Sequence, residues 1–360
     1  LLFLFLVLLG NNTLANVEQL DIYVPLKQSQ VAVAPDGKVF VLEASANLVR
    51  TYDHMGVAGA TFGGSGSGPG ELSGADSLHL VNGFLGVNSL TVLFHVFKED
   101  GTFVNRGING WGQRFLTQTG VIAAQLPYTT NFYPTGEIPP LEVSAYDRSL
   151  TDTSRKQIST WTRPDPRHRT RVRRTRTHMI IKYNPAPDRM FIEGSADGSR
   201  VYLYPTNSAE VLVFDGTTHQ ELPSIQLPKP LLLNETWAEM MVDKQEARNA
   251  HRSRKFEYFA NFLERFPGVR YMNLIDGILY VVLWSEAPDM KRPVLAFDAH
   301  GTAVTPRFSA QAVLQIAGTW DGTAWLVTWD KEEGAAGLVR VPLADVEQTV
   351  SSKAQEWNWF

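Results

Sequence analysis

One pattern recurs six times along this chain and restricts the folds open to it more than any other feature. An apolar run ends in Asp-Gly, Asn-Gly or, once, Thr-Gly, and a second apolar run follows at once. After a loop, a third run ends in an aromatic or apolar pair, usually followed by Asp and a turn, and a fourth leads out. The first copy is the clearest: Gln30 to Gly37, Lys38 to Leu42, then Asn47 to Asp53 ending in Thr51-Tyr52-Asp53. The second runs Leu78 to Gly83, Phe84 to Val87 and Thr91 to Phe97. The third, with the turn Thr119-Gly120, runs Phe115 to Gly120, Val121 to Leu126 and Leu141 to Asp147. The fourth is Met190 to Gly198, Val201 to Tyr204 and Val211 to Gly216; the fifth is Tyr271 to Gly277, Ile278 to Trp284 and Val294 to Asp298. The sixth is Leu314 to Gly322, Thr323 to Trp329 and Leu338 to Leu343.

Asp-Gly and Asn-Gly favour the two-residue turn joining twisted antiparallel strands, because both central positions need positive φ. Six such hairpins, each with a third and a fourth strand, make six four-stranded units. One unit alone cannot bury both of its faces; a ring of units can, and it leaves only short edges. The pattern therefore predicts an all-β fold, a six-bladed β-propeller. The sixth unit lacks an outer strand of its own, and the N-terminal run Leu20 to Leu26 is expected to supply it, clasping the first and last blades together.

Val31 to Leu72 resembles an NHL-type propeller repeat, through its Asp-Gly hairpin, Tyr52-Asp53 and the glycine run Phe62 to Glu71. Residues 230–345 resemble the exported bacterial six-bladed propellers, which often carry a helical insert before the fifth blade. The likeness covers most of residues 20–345. Such families are mostly binding or scaffold proteins with enzymes as a minority, so the resemblance implies a fold more than an activity.

Outside the repeat, Leu1 to Leu9 are all apolar, too short to cross a bilayer but suited to the core of a signal peptide, with Thr13-Leu14-Ala15 as the cleavage site. Residues 1–15 are read as a signal peptide truncated at its start, 16–345 as the propeller and 346–360 as a tail. Export to the periplasm or beyond the cell follows. Residues 163–178 form a basic insert. Residues 229–267 read as a helical insert: Thr236-Trp237-Ala238-Glu239 has the form of a capping box, and Phe256, Phe259, Phe262 and Leu263 recur at helical spacing.

The chain has no cysteine, which excludes disulfides, thiolate nucleophiles and Cys-ligated zinc. The eight His form no metal-binding motif. His54 and His300 fall in equivalent third-to-fourth-strand turns, and His79 and His95 alternate with apolar neighbours. The glycine run lacks the Lys-Ser/Thr of a phosphate cradle and reads as a structural turn. No Gly-x-Ser-x-Gly elbow is present.

By the topology, every long link belongs to one face, which is expected to be the working surface. There the candidate ligand-binding residues are Glu43 and Asn47, Glu286, Asp330, and Arg169, Arg171, Arg173 and Arg174 of the basic insert. Residues 155–178 carry a local charge of +8 within a chain of net −4, so the remainder sums to −12. The arginines suit a polyanion such as an acidic polysaccharide, and their own repulsion or the chain's acidic remainder is the structural alternative. Nucleic acid is disfavoured, because no aromatic residues interleave the arginines.

The expected function is a binding or scaffold module for a glycan, a peptide or an envelope protein, without cofactor and without a membrane span. The alternative is a calcium-assisted hydrolase or lactonase, with Glu43, Glu286 and Asp330 near the ends of second strands supplying oxygen ligands.

Overall fold

The computed structural model describes residues 18–24, 30–89, 93–108, 111–126, 140–161, 172–174, 178–183, 190–205, 208–229, 243, 255–260, 268–284, 291–330 and 335–353. Its fold is a six-bladed β-propeller of six four-stranded sheets. The strands are, in chain order, β1 (Glu18–Val24); β2 (Gln30–Val33), β3 (Val39–Glu43), β4 (Leu48–Tyr52) and β5 (Ala58–Gly63) of the first blade; and β6 (Ala75–Val81), β7 (Phe84–Ser89), β8 (Phe94–Lys98) and β9 (Phe103–Gly107) of the second. The third blade is β10 (Trp111–Leu116), β11 (Gly120–Leu126), β12 (Leu141–Asp147) and β13 (Lys156–Trp161). Two further strands follow, β14 (Val172–Arg174) and β15 (His178–Tyr183), then the fourth blade: β16 (Phe191–Gly194), β17 (Arg200–Tyr204), β18 (Glu210–Asp215) and β19 (Glu221–Gln226). After β20 (Lys255–Ala260) the fifth blade is β21 (Val269–Ile275), β22 (Ile278–Leu283), β23 (Val294–Phe297) and β24 (Ala303–Val304). The last strands are β25 (Ile316–Trp320), β26 (Thr323–Asp330) and β27 (Ala335–Pro342). Among the described residues Asp243 is helical, and the α-helices described over their length are a single turn, α1 (Ala310–Val313), and α2 (Val346–Lys353) after the last strand. No helix among the described residues is long and apolar enough to cross a membrane.

The chain divides into two compact units of three blades each. In the first, β1 pairs antiparallel with β27 and completes the sheet β1-β27-β26-β25, as the missing outer strand required. Its Leu20 and Ile22, 4% and 2% exposed, join Trp325, Leu338, Val39 and Val41 in one core cluster between the sixth and first blades. Within that sheet Arg340 pairs with Glu18, directly opposite it on β1. A second cluster fuses the first and second blades through Phe40, Leu42, Leu78, Val87 and Phe97, and Phe62 lies 5.2 Å from Phe97.

The other unit holds the third, fourth and fifth blades. Phe115 of β10 packs where a side chain on Gly194 of β16 would stand, since a Cβ there would come within 2.2 Å of the ring. Tyr204, Val211, Met272, Leu279 and Val281 fuse the fourth blade to the fifth. The second strands carry unbroken apolar runs, such as Val201-Tyr202-Leu203-Tyr204 of β17, all buried. Each has a neighbouring sheet or link on both sides, so alternation with polar residues disappears.

Three of the hairpins use the expected two-residue turn: Asn82-Gly83, Asp276-Gly277 and Asp321-Gly322 each have positive φ at both positions. Two do not. In Ala34-Pro35-Asp36-Gly37 only Gly37 has positive φ, and its N–H donates to the Ala34 carbonyl. Pro35 presets φ for the second position of a type I turn, and Gly37 forms the bulge that follows. Ser195 to Gly198 closes the same way. The third-to-fourth-strand turns are built on Asp. Asp53, Asp147, Asp215 and Asp298 each accept from backbone N–H groups two to four residues on. The Ser149 hydroxyl at Asp147, the Thr218 N–H at Asp215 and the Thr302 N–H at Asp298 hold these carboxyls below the usual range. His54 and His300 are exposed within two of these turns.

Within the helical insert Asp243 is helical, and one segment departs from the expectation. Lys255–Ala260, which contains Phe256 and Phe259, is the strand β20 and pairs in parallel with β15. The three-residue spacing of the phenylalanines fits a helix, but Phe256, Tyr258 and Ala260 also alternate, aromatic residues favour strands, and β15 offers a backbone ladder. Long-range pairing decides between the two periods. Phe262, Leu263 and Thr236 to Glu239 lie outside the described residues.

Candidate functional site

Glu43 closes β3 and its carboxylate accepts from Arg50 Nε at 2.9 Å. Asn47 takes the left-handed conformation, φ 56°, where its type is tolerated. Its Nδ2 donates to Ser65 Oγ at 2.9 Å, its Oδ1 accepts from Ala75 N–H at 3.1 Å, and its carbonyl accepts from Gly64 N–H at 2.7 Å. Asn47 thus fastens the glycine-rich link to the start of β6. The link is itself hydrogen-bonded, Leu72 N–H to the Gly64 carbonyl and Gly68 N–H to the Glu71 carboxylate. It is a built turn, as its missing Lys-Ser/Thr indicated.

Asp330 ends β26, its backbone opposite Ala335. Glu286, Arg169 and Arg171 lie outside the described residues. Arg173 and Arg174 occupy β14. That strand belongs to no blade: β14, β15 and β20 make a separate three-stranded sheet, β14-β15 antiparallel and β15-β20 parallel. The first two strands come from the link between the third and fourth blades, and the last from the link between the fourth and fifth. Two inserts far apart in sequence therefore pair with each other.

Inside the same unit, the first strands of the fourth and fifth blades bring Glu193 of β16 beside Tyr271 of β21. Burial pushes the Glu193 carboxyl up to about 8, and no hydrogen bond or ion pair to another described residue compensates it. Burial and the nearby Glu193 both raise the Tyr271 phenol. Phe191, two residues before Glu193, meets Tyr271 edge-on at 6.3 Å and Tyr204 at 6.4 Å. Near neutral pH this spot holds a protonated acid and a phenol among aromatic rings, hydrogen-bonding groups without charge. Sequence reading missed Glu193. The available signal was a carboxylate inside the apolar run Phe191-Ile192-Glu193-Gly194.

In the second blade, Asn88 Nδ2 donates to Ser77 Oγ at 2.6 Å and lies 3.4 Å from His79 Nε2. Burial lowers His79 to about 4 from an ordinary 6.5. The unfolded chain binds a proton in that interval that the folded chain refuses, so His79 costs stability as pH falls from 6.5 toward 4. His79→Gln is expected to flatten the acid side of the stability–pH curve; an unchanged slope in denaturant melts would show that the ring titrates normally. His95, 2% exposed, packs against Phe97.

Among the described residues no group of three or more His, Asp or Glu gathers as metal ligands do. No protein-family model and no curated protein matches the sequence. Solved structures do. A Bacteroides fragilis protein described as exported aligns over 92% of this chain and 97% of its own at 10% identity, TM-score 0.49. A member of the DUF4221 family from Bacteroides vulgatus aligns over 90% and 95% at 10% identity, TM-score 0.49. A calcium-binding protein, regucalcin, from Agrobacterium tumefaciens aligns over 89% and 92% at 9% identity, TM-score 0.41. At these values the likenesses bear on neither ligand nor activity.

Proposed function

We propose that this chain is a binding module: an exported, NHL-like six-bladed propeller, periplasmic or secreted, that presents a glycan-, peptide- or protein-binding surface on the links between its blades. The observation that carries this reading is the accessory sheet. The blades complete their own hydrogen bonding without it, yet two separate links extend to build it. A propeller needs only short links to close, and long additions to a rigid scaffold are where recognition is usually placed. The alternative, a calcium-assisted hydrolase or lactonase, has no supporting geometry among the described residues, and the Glu43 carboxylate is already engaged by Arg50.

The test compares the full chain with a variant in which residues 163–189 and 230–267 are replaced by short Gly-Ser links, both presented to glycan and envelope-protein arrays. The variant is expected to keep the β-sheet spectrum and cooperative melt of the propeller and to lose retention. Equal retention by a folded variant would overturn the reading. Stabilisation by calcium that a chelator reverses would move the assignment to the hydrolase.

A further inference from the structure

Glu193 and Tyr271 lie on the first strands of their blades, and β10, β16 and β21, the first strands of the third, fourth and fifth blades, stand side by side. Alternate residues of a strand share a face. Glu193 therefore faces β21 as Phe191 does, and Phe191 meets the Tyr271 ring edge-on. Tyr202 and Tyr204 of β17, directly opposite Glu193 and Phe191 in the ladder, are sealed from solvent. Val269 N–H donates to Tyr204 Oη at 3.4 Å and ties that floor to β21. Phe191, Glu193 and Tyr271 themselves are only half-buried. A carboxyl that water reaches, yet that the surrounding protein desolvates strongly, lies in a recess and not on an open surface or in a closed core.

The recess lacks a positive charge. Glu193 has no hydrogen bond or ion pair with a described residue, and no described cation acts on its carboxyl. Arg270, beside Tyr271 in sequence, lays its guanidinium over the Trp284 ring at 5.1 Å. Arg114 of β10 acts on Tyr146 of its own blade. The remaining titratable groups on the strands packed here are the phenols Tyr202, Tyr204 and Tyr271, and burial favours the neutral form of Tyr202 and Tyr271.

We propose that this recess binds a small organic ammonium ion, held by the Glu193 carboxylate and the rings of Phe191 and Tyr271. An ammonium supplies the missing counter-charge, and aromatic faces attract it through their quadrupoles. On binding, the carboxyl gives its proton to solvent, so one cation enters as one proton leaves. A metal ion requires several oxygen ligands, and among the described residues no such group gathers. An anion would meet a carboxyl and phenols with no cation to receive it. The site is built by blade strands alone, so it goes beyond the binding surface proposed for the links.

Calorimetric titration of the full chain with choline and with 3,3-dimethylbutanol, its uncharged isostere, tests this. Choline keeps its charge at every pH. At about pH 7 the wild type is expected to bind it with a dissociation constant on the order of 1 mM or below, about tenfold or more tighter than the isostere. It should release about one proton per choline, read from the difference in heat between phosphate and Tris buffers. Affinity should rise about tenfold per pH unit from about pH 6 to about pH 8 and level off above. Glu193→Gln should abolish the proton release and weaken choline about 30-fold or more, leaving the isostere unaffected. Phe191→Leu should keep the release and weaken choline about 5-fold. Failure of the wild type to bind choline, equal binding of the isostere, binding without proton release, or undiminished binding by Glu193→Gln would each overturn the proposal.

Discussion

A chain carrying both Leu20→Asp and Ile22→Asp is expected to lose the cooperative folding of its sixth blade and to aggregate. The two side chains are 4% and 2% exposed and pack with Trp325 and Leu338. Removing one buried Leu or Ile costs about 2–5 kcal/mol. Placing a carboxylate in the same apolar space adds an uncompensated charge or an uptake of protons. The pair together approaches the whole stability of a typical domain, about 5–15 kcal/mol. The second consequence is geometric: without β1 the outer edge of β27 is bare, a row of free N–H and C=O groups ready to pair with another chain. A synthetic peptide spanning residues 16–26, supplied during refolding, should restore a monomer by adding the missing strand. Wild-type melting of the double variant, or failure of the peptide alongside retained solubility, would show that β1 decorates the blade and does not close it.

Glu193→Gln is expected to stabilise the protein, increasingly so as pH rises. In the unfolded chain this carboxyl ionises near 4.5, and in the folded chain near 8. Between those values the folded state holds a proton that the unfolded state releases, so stability falls across the interval and levels off above it. The loss is on the order of a few kcal/mol when complete. Glutamine keeps the shape and the hydrogen-bonding capacity of the protonated acid and cannot ionise. The variant and the wild type should therefore melt alike at about pH 5 and separate by several degrees at about pH 9. Tyr271 and Tyr202 are the titratable groups beside it, and a raised phenol leaves the window below pH 9 to the carboxyl. A constant difference across pH would mean that Glu193 reaches water. A loss of stability in the variant at high pH would mean that the charged form is the one the fold accommodates. His79 acts with the opposite sign on the acid side, so the two residues bound the pH range of greatest stability from either end.

The blade architecture was legible because its signals are local. Asn82-Gly83, Asp276-Gly277 and Asp321-Gly322 fix hairpins by the φ their residues accept. The Asp at the end of a third strand fixes the next turn through N–H groups two to four residues away. The missing strand of the sixth blade could be counted, and the segment that fills it was the only unassigned apolar run near the N-terminus of the repeat. Asn47, expected to meet ligand, ties Ser65 and Ala75 together. A polar residue at a loop end looks alike in both roles until its partners are known. Glu193 escaped notice because desolvation depends on what the neighbouring blade places over a side chain.

The sequence by itself determined the number of blades, the grouping of their strands and the positions of their turns, since all of these depend on dihedral preference and on alternation within a few residues. Only the tertiary structure decided that Lys255–Ala260 is extended and that it lies beside His178–Tyr183. Parallel pairing between segments some 77 positions apart leaves no local trace: the ladder is made by backbone groups that every residue carries, and which strand completes it is settled by what else is within reach once the blades have formed.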